Sequence, residues 1–159
     1  MTHHVTLTET EPFTAARVHR RIRAADLSRA IGEGFGLLFE HSAQAGATPA
    51  GPPQVAYPGS FQPEGEFEVD LLLPTDRPTA PAGDVGTVEW PGGPAVRTLH
   101  AGPYDRLGEA YQAIEEWVRA HDRRPAGPPR EIYLVGPDRT SNPKSYLTEV
   151  VMPVIADGK

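Results

Sequence analysis

Two periods of hydrophobic positions alternate along this chain. A period of three to four residues predicts one helix beginning after Asp26 and ending near Gly46, and a second helix across Pro103–Asp122. A period of two, interrupted by glycine and proline, predicts strands between and around these helices. The predicted strands run to about Ile22 and then cover residues 54–59, 65–74, 85–90, 94–102, 130–136 and 146–155.

The order strand, helix, strand, strand occurs twice. The turn PAGPP occurs at Pro49–Pro53 and again at Pro125–Pro129, and each copy is followed by a tyrosine, Tyr57 or Tyr133. The strands FEVDLLLP and YLTEVVMP then place Asp70 against Glu149. We therefore predict one domain over residues 1–159 that holds two β-α-β-β repeats, at about 5–75 and 85–156, in an α+β fold with an antiparallel sheet and two main helices.

Composition excludes several classes of function. The chain has 159 residues, a formal net charge of −6 and no cysteine. Disulfides and thiolate chemistry are therefore excluded, and an acidic chain without a Lys/Arg stripe is a poor binder of nucleic acid. The six histidines lack metal-ligand spacing, so we expect neither metal nor cofactor. No apolar run is long enough for a membrane span, and a cytoplasmic protein is expected.

Glu149 is the residue in the last strand that most needs an explanation. Alternation places it on one face with Leu147, Val151 and Pro153, so an acid lies among apolar neighbours. A buried carboxylate must be paired, protonated or hydrogen-bonded. Three explanations remain open: Glu149 lies at a wet sheet edge, it is paired with a structural arginine, or it lies in an apolar cavity, where it meets a cation or moves a proton. Tyr133 is its expected hydrogen-bonding neighbour.

Asp70, the counterpart of Glu149 in the first repeat, shares its face with Glu68 and Leu72. With a second acid on that face, we expect Asp70 to be solvated.

The aromatic residues supply the remaining candidates for a binding site. An aromatic stripe on a helix is typical of a core, but every buried tyrosine hydroxyl needs a hydrogen-bonding partner. Tyrosines on matched strands near a glutamate suit recognition of a flat cation by stacking and cation–π attraction. The candidates are Tyr133, Tyr57, Phe35, Leu38, Trp90, Tyr104 and Tyr111.

Three segments resemble the second half of GyrI-like small-molecule-binding domains, whose fold also forms the effector-binding domains of AraC-type and MerR-type multidrug-responsive regulators. These segments are LHAGPYDRLGEAYQAIEEWV, PREIYLVGP and YLTEVVMPV. The resemblance implies a pseudo-twofold pair of β-α-β-β units of the SHS2 type, with a ligand cleft between the halves. It places the family's usual acid on Glu149 and an aromatic wall at positions that include Tyr133.

The resemblance also implies a stand-alone member, because the regulators carry an upstream helix-turn-helix and this chain begins with the first strand. The expected function is binding of hydrophobic, often cationic, aromatic small molecules. One alternative is a hydrolase that opens the cyclopropane of DNA-alkylating natural products, with Glu149 and Tyr133 as catalytic residues. A second alternative is a protein-interaction role like that of gyrase inhibitors.

Overall fold

The computed structural model describes residues 3–59, 64–137 and 139–156. The predicted α+β class is confirmed, because the described residues form two main helices and nine strands, and seven pairings between these strands are antiparallel. The helices are α1 (Leu27–Gln44) and α2 (Leu107–Ala120). The strands are β1 (Thr6–Thr10), β2 (Phe13–Arg23), β3 (Gln54–Ala56), β4 (Glu66–Pro74), β5 (Val85–Trp90), β6 (Gly93–Ala101), β7 (Arg123–Pro125), β8 (Arg130–Val135) and β9 (Leu147–Ala156).

The chain divides into two compact units. The N-terminal unit is Glu11–Gly92, and the C-terminal unit is Met1–Thr10 together with Gly93–Lys159. The N-terminal unit has the strand order β3-β4-β2-β5, and the C-terminal unit has the order β8-β9-β6-β1, with β7 also paired to β9. Each unit therefore contains the same β-α-β-β succession and one further strand at the end of its sheet, β5 or β1, while β7 is an additional strand of the C-terminal unit.

That further strand distinguishes the structural units from the sequence repeats. β1 precedes the first repeat's main strand, β2, yet it pairs with β6. β5 precedes β6 and pairs with β2. The leading strand of each repeat thus completes the sheet of the other unit, an exchange that the sequence pattern did not indicate.

Helix α1 packs on one face of the N-terminal sheet through small and branched residues. Leu38 on α1 and Leu71 on β4 are both fully buried. Gly34 lies so close to Leu71 that a Cβ there would stand 2.8 Å from its Cδ2 atom. The helix ends before Gly46, whose φ of 70° is the left-handed conformation that glycine adopts readily after a helix.

Helix α2 covers the equivalent face of the C-terminal sheet. Its inward positions recur every three to four residues, as the apolar period predicts. They form one core with residues of β6 and β9, and this core consists of Leu107, Ala110, Ile114, Val118, Val96, Val150 and Val154. No helix in the described part of the chain is long and apolar enough to cross a membrane.

Candidate ligand-binding site

A buried carboxylate held by two phenols is the most unusual polar feature of the C-terminal unit. Glu131 on β8 is only 5% exposed. The hydroxyl of Tyr111 donates to Glu131 Oε2 over 2.6 Å, and the hydroxyl of Tyr133 donates to Oε1 over 2.6 Å. Both carboxylate oxygens therefore have a neutral hydrogen-bond donor, and no cation in the described residues forms an ion pair with them.

Strand register brings these three residues together. Glu131 lies opposite Val150 on β9, and Tyr133 lies opposite Thr148. Residues two apart on a strand share a face. That face is the one covered by α2, because Val150 belongs to the core with Ile114 of the helix. Tyr111 reaches Glu131 from the helix side.

Burial and hydrogen bonding act in opposite directions on the acid. Burial raises the pKa of Glu131, because the ionised form loses its hydration, and the hydrogen bonds from Tyr111 and Tyr133 partly offset this effect. The net pKa is raised above the ordinary glutamate value. A carboxylate in this condition gains from a neighbouring positive charge, which would replace the missing solvation.

Three tyrosine rings form a contiguous aromatic group beside the acid. Tyr104 meets Tyr133 edge-on, with ring centroids 5.5 Å apart, and stacks on Tyr146 at 4.8 Å. All three rings are half-buried. Tyr104 lies in a short 3₁₀ turn, Tyr104–Arg106, directly before α2, so the start of the helix holds this ring beside β8. Electron-rich ring faces attract cations and stack on aromatic ligands.

Glu149 lies on the opposite face of the same sheet. It pairs in register with Ile132 and Leu99, so it does not share the face of Tyr133, and the expected hydrogen bond between Glu149 and Tyr133 is not formed. Its side chain is 16% exposed and accepts from Arg97 Nη1 over 3.2 Å. This ion pair favours the structural interpretation of Glu149, whereas a ligand-binding role for it stays a prediction.

Asp70 differs from its expected solvated state. It is 5% exposed, bonds His19 Nδ1 over 2.6 Å and lies 3.9 Å from Arg17. The prediction of a solvated acid is wrong because the cross-strand neighbours cover the carboxylate and supply its polar partners.

Four predicted site residues belong to the N-terminal unit. Phe35 and Leu38 lie on α1, and Leu38 is fully buried in the core of that unit. Tyr57 contacts Phe67, with ring centroids 6.5 Å apart. Trp90 packs on Phe13 in a cluster with Ala15 and Leu72, on the sheet face away from α1. Trp90 and Leu38 therefore lie on opposite faces, and a shared ligand wall with Tyr133 stays a prediction.

Sequence reasoning missed Glu131, although a signal for it existed. The repeated turn aligns Glu131 with Val55, two residues before the matched tyrosines. An acid that replaces a valine, directly before Ile132, Tyr133, Leu134 and Val135, is the signal that the sequence offered. Glu149, by contrast, matches another acid, Asp70, in the first repeat.

Comparison with known proteins identifies the type of domain. Residues 3–155 match the family model of the GyrI-like small molecule binding domain. A sequence search among curated proteins found no significant match.

Solved structures with a similar fold come from proteins of different kinds. The C-terminal domain of EcmrR has 21% identity and a TM-score of 0.87 over 98% of this chain and 99% of that domain. The chain spans 58% of the length of EcmrR in its complex with DNA. A hydrolase encoded by lin2189 from Listeria innocua has 14% identity and a TM-score of 0.68, over 95% of this chain and 91% of that one. SAV2435 bound to tetraphenylphosphonium has 12% identity and a TM-score of 0.60, over 96% and 94% of the two chains.

Proposed function

The chain belongs to the GyrI-like family of small-molecule-binding domains, and on that premise we propose that it binds hydrophobic aromatic cations of the multidrug type beside Glu131. The observation that carries this proposal is the burial of Glu131 between the hydroxyls of Tyr111 and Tyr133. Glu131 then takes the role of the binding acid that the resemblance had placed on Glu149.

Glu131 and Glu149 differ in whether they have a cationic partner among the described residues. Glu149 already has Arg97 as a counter-ion, so a ligand cation there would compete with an existing ion pair. Among the residues that the structure describes, the hydrogen-bond donors to Glu131 are neutral, and burial raises the pKa of its carboxyl. A bound cation would supply the missing positive charge. Two opposite unit charges about 6 Å apart attract by about 3 kcal/mol at an effective dielectric constant of about 20.

The tyrosine rings beside Glu131 favour aromatic ligands. Tyr104, Tyr133 and Tyr146 present edges and faces within one group of rings. Such rings bind flat or phenyl-bearing cations by area and by cation–π attraction, which contributes about 0.5–2 kcal/mol. Because these forces do not depend on an exact arrangement of ligand polar atoms, the site would accept several ligands of similar size and charge.

Titration with tetraphenylphosphonium, followed by calorimetry, tests the proposal. Wild-type protein should bind this cation. Glu131→Gln should weaken binding by about 10- to 100-fold, because it removes a charge attraction of about 3 kcal/mol and each tenfold change in affinity corresponds to about 1.4 kcal/mol. Glu149→Gln is the matched control on the other sheet face, and its affinity should stay within about twofold of wild type.

Tetraphenylborate provides a second control, because it has the same shape and the opposite charge. The wild type should prefer the phosphonium, and Glu131→Gln should reduce that preference. Loss of phosphonium binding in Glu149→Gln with full binding in Glu131→Gln would transfer the role back to Glu149 and contradict our assignment.

A hydrolase acting on cyclopropane-containing alkylating compounds is the second candidate. A buried carboxyl with a raised pKa, hydrogen-bonded to two phenols, is suited to proton transfer. Tyr133 could donate to a developing oxyanion while Glu131 directs a water molecule. Mass spectrometry of such a compound after incubation separates the two functions, because binding leaves its mass unchanged and hydrolysis adds one water.

A further inference from the structure

A fully buried hydroxyl without a hydrogen-bonding partner lies next to the proposed site. Thr148 on β9 has no exposed surface, and none of the residues that the structure describes offers a partner to its Oγ1 atom. A buried hydroxyl that forms no hydrogen bond destabilises the folded state, so each one needs a specific reason.

The polar groups around Thr148 are already engaged. His100, directly opposite on β6, bonds His3 Nε2 through Nδ1 and the Pro103 carbonyl through Nε2, both over 3.0 Å. Tyr133, directly opposite on β8, donates to Glu131. Thr98, two residues along β6, donates to the His4 carbonyl. Thr148 is therefore left with an unused hydroxyl inside a set of satisfied neighbours.

Strand register places this hydroxyl within reach of one ligand that also contacts Glu131. Glu131 lies opposite Val150, and Thr148 is two residues from Val150 on the same face. Diagonal neighbours of this kind have Cβ atoms about 7–8 Å apart, which a molecule of two aromatic rings spans. His100 also lines an open depression of about 430 Å³ with Gly102, Pro103 and Arg106. The hydroxyl thus lies one side chain behind open volume.

We propose that Thr148 is a specificity-determining residue, which donates its hydroxyl hydrogen to an oxygen acceptor on ligands whose cationic part lies beside Glu131. This inference rests on the proposed function and deepens it, since it selects aromatic cations that carry a carbonyl or ether oxygen over those without one. Binding would satisfy a hydroxyl that the described part of the chain leaves unpaired.

Two phosphonium probes of similar size test this inference. The first is (4-acetylphenyl)triphenylphosphonium, which carries a ketone oxygen, and the second is (4-isopropylphenyl)triphenylphosphonium, which does not. Thr148→Val keeps the shape and removes the hydroxyl, so it should weaken the acetyl probe by about 2- to 10-fold, as expected for one neutral hydrogen bond. The isopropyl probe and tetraphenylphosphonium should bind unchanged, and Thr148→Ser should retain the preference for the acetyl probe.

Thermal unfolding of the ligand-free variants gives an independent readout. Thr148→Val should unfold at the wild-type temperature or above it, because it removes an unsatisfied group. If this variant is destabilised and weakens all three probes equally, Thr148 is structural and the inference is overturned. If Thr148→Val does not fold, Thr148→Ala gives the same comparison between probes.

Failure of the wild type to bind any probe would overturn the proposed function as well. If the wild type binds the probes and Thr148→Val weakens all of them equally, this inference alone is overturned.

Discussion

The two units build the same framework and differ at the position of one acid. Strand pairing places Val55 opposite Leu71 in the N-terminal unit and Glu131 opposite Val150 in the C-terminal unit. The PAGPP turns align the same two residues. Val55 is fully buried among apolar residues, whereas Glu131 carries a carboxylate into the equivalent place.

The helices follow the same correspondence when they are aligned from their C-terminal ends. The buried positions Gly34, Leu38 and Ser42 of α1 then match Ala110, Ile114 and Val118 of α2. This alignment sets Phe35 against Tyr111 and leaves the extra turn of α1, 18 residues long against 14, at its start. The C-terminal unit thus has a glutamate and its donor tyrosine where the N-terminal unit has valine and phenylalanine.

On the sheet face away from its helix, each unit has an acid that lies beside an arginine. Glu149 pairs with Arg97 over 3.2 Å, and Asp70 lies 3.9 Å from Arg17, its equivalent partner. An arginine-paired acid at the same point of both units indicates a requirement of the fold. An acid in only one unit indicates a specialised role, which is why we assign ligand recognition to Glu131.

The largest expected effect comes from placing an acid in the unit that lacks its donors. Val55→Glu should lower the free energy of unfolding by about 2–6 kcal/mol, from an unsatisfied polar group and from overpacking. Adding Phe35→Tyr should restore about 1 kcal/mol by supplying one phenol. Urea unfolding measures both changes.

Val55→Met is the control for volume in that experiment. It should cost less than Val55→Glu, because it enlarges the side chain without adding a polar group. Equal losses for the two variants would mean that the phenols are not what allows an acid to be buried at the matching position.

A smaller effect should appear in the pH dependence of stability. Burial raises the pKa of Glu131 above its ordinary value of 4.5, so between that value and the raised pKa the folded state binds more protons than the unfolded state. Stability from this group is therefore complete below the unfolded pKa and is lost as pH rises through the folded pKa, with a slope of at most about 1.4 kcal/mol per pH unit.

Urea unfolding from about pH 4 to about pH 8 should detect this slope as a difference between proteins. The stability of wild type minus that of Glu131→Gln should fall as pH rises through the window. The difference in stability between wild type and Glu149→Gln serves as the comparison for the opposite sheet face. If Glu131→Gln loses stability with rising pH as steeply as wild type does, a group other than Glu131 causes the pH dependence.

Much of this fold could be predicted from the sequence, because period and turn chemistry are local properties. The ends of α1 and the order of β2, α1, β3 and β4 follow from spacing, Asp26 and Gly46. Pairing of β1 with β6 could not be predicted, since partner choice depends on contacts distant in sequence. The site was predicted only in part: Tyr133, Tyr104 and Tyr111 lie around one acid, but alternation alone could not show that Tyr133 and Glu149 lie on opposite faces.

The smallest expected effect tests whether the two helix–sheet contacts are equivalent. A Cβ at Gly34 would stand 2.8 Å from Leu71, while the matching pair in the C-terminal unit is Ala110 with the shorter Val150.

Gly34→Ala alone should not stabilise the protein, because the gain of about 1 kcal/mol in helix propensity is offset by crowding. In a Leu71→Val background it should stabilise by about 1 kcal/mol, which gives a coupling of about 1 kcal/mol in a double-mutant cycle. Gly36→Ala, where a Cβ would meet nothing within 4 Å, should add the same stability in both backgrounds. Zero coupling between positions 34 and 71 would show that α1 moves away from the sheet without cost, and that the glycine is not what sets its close approach.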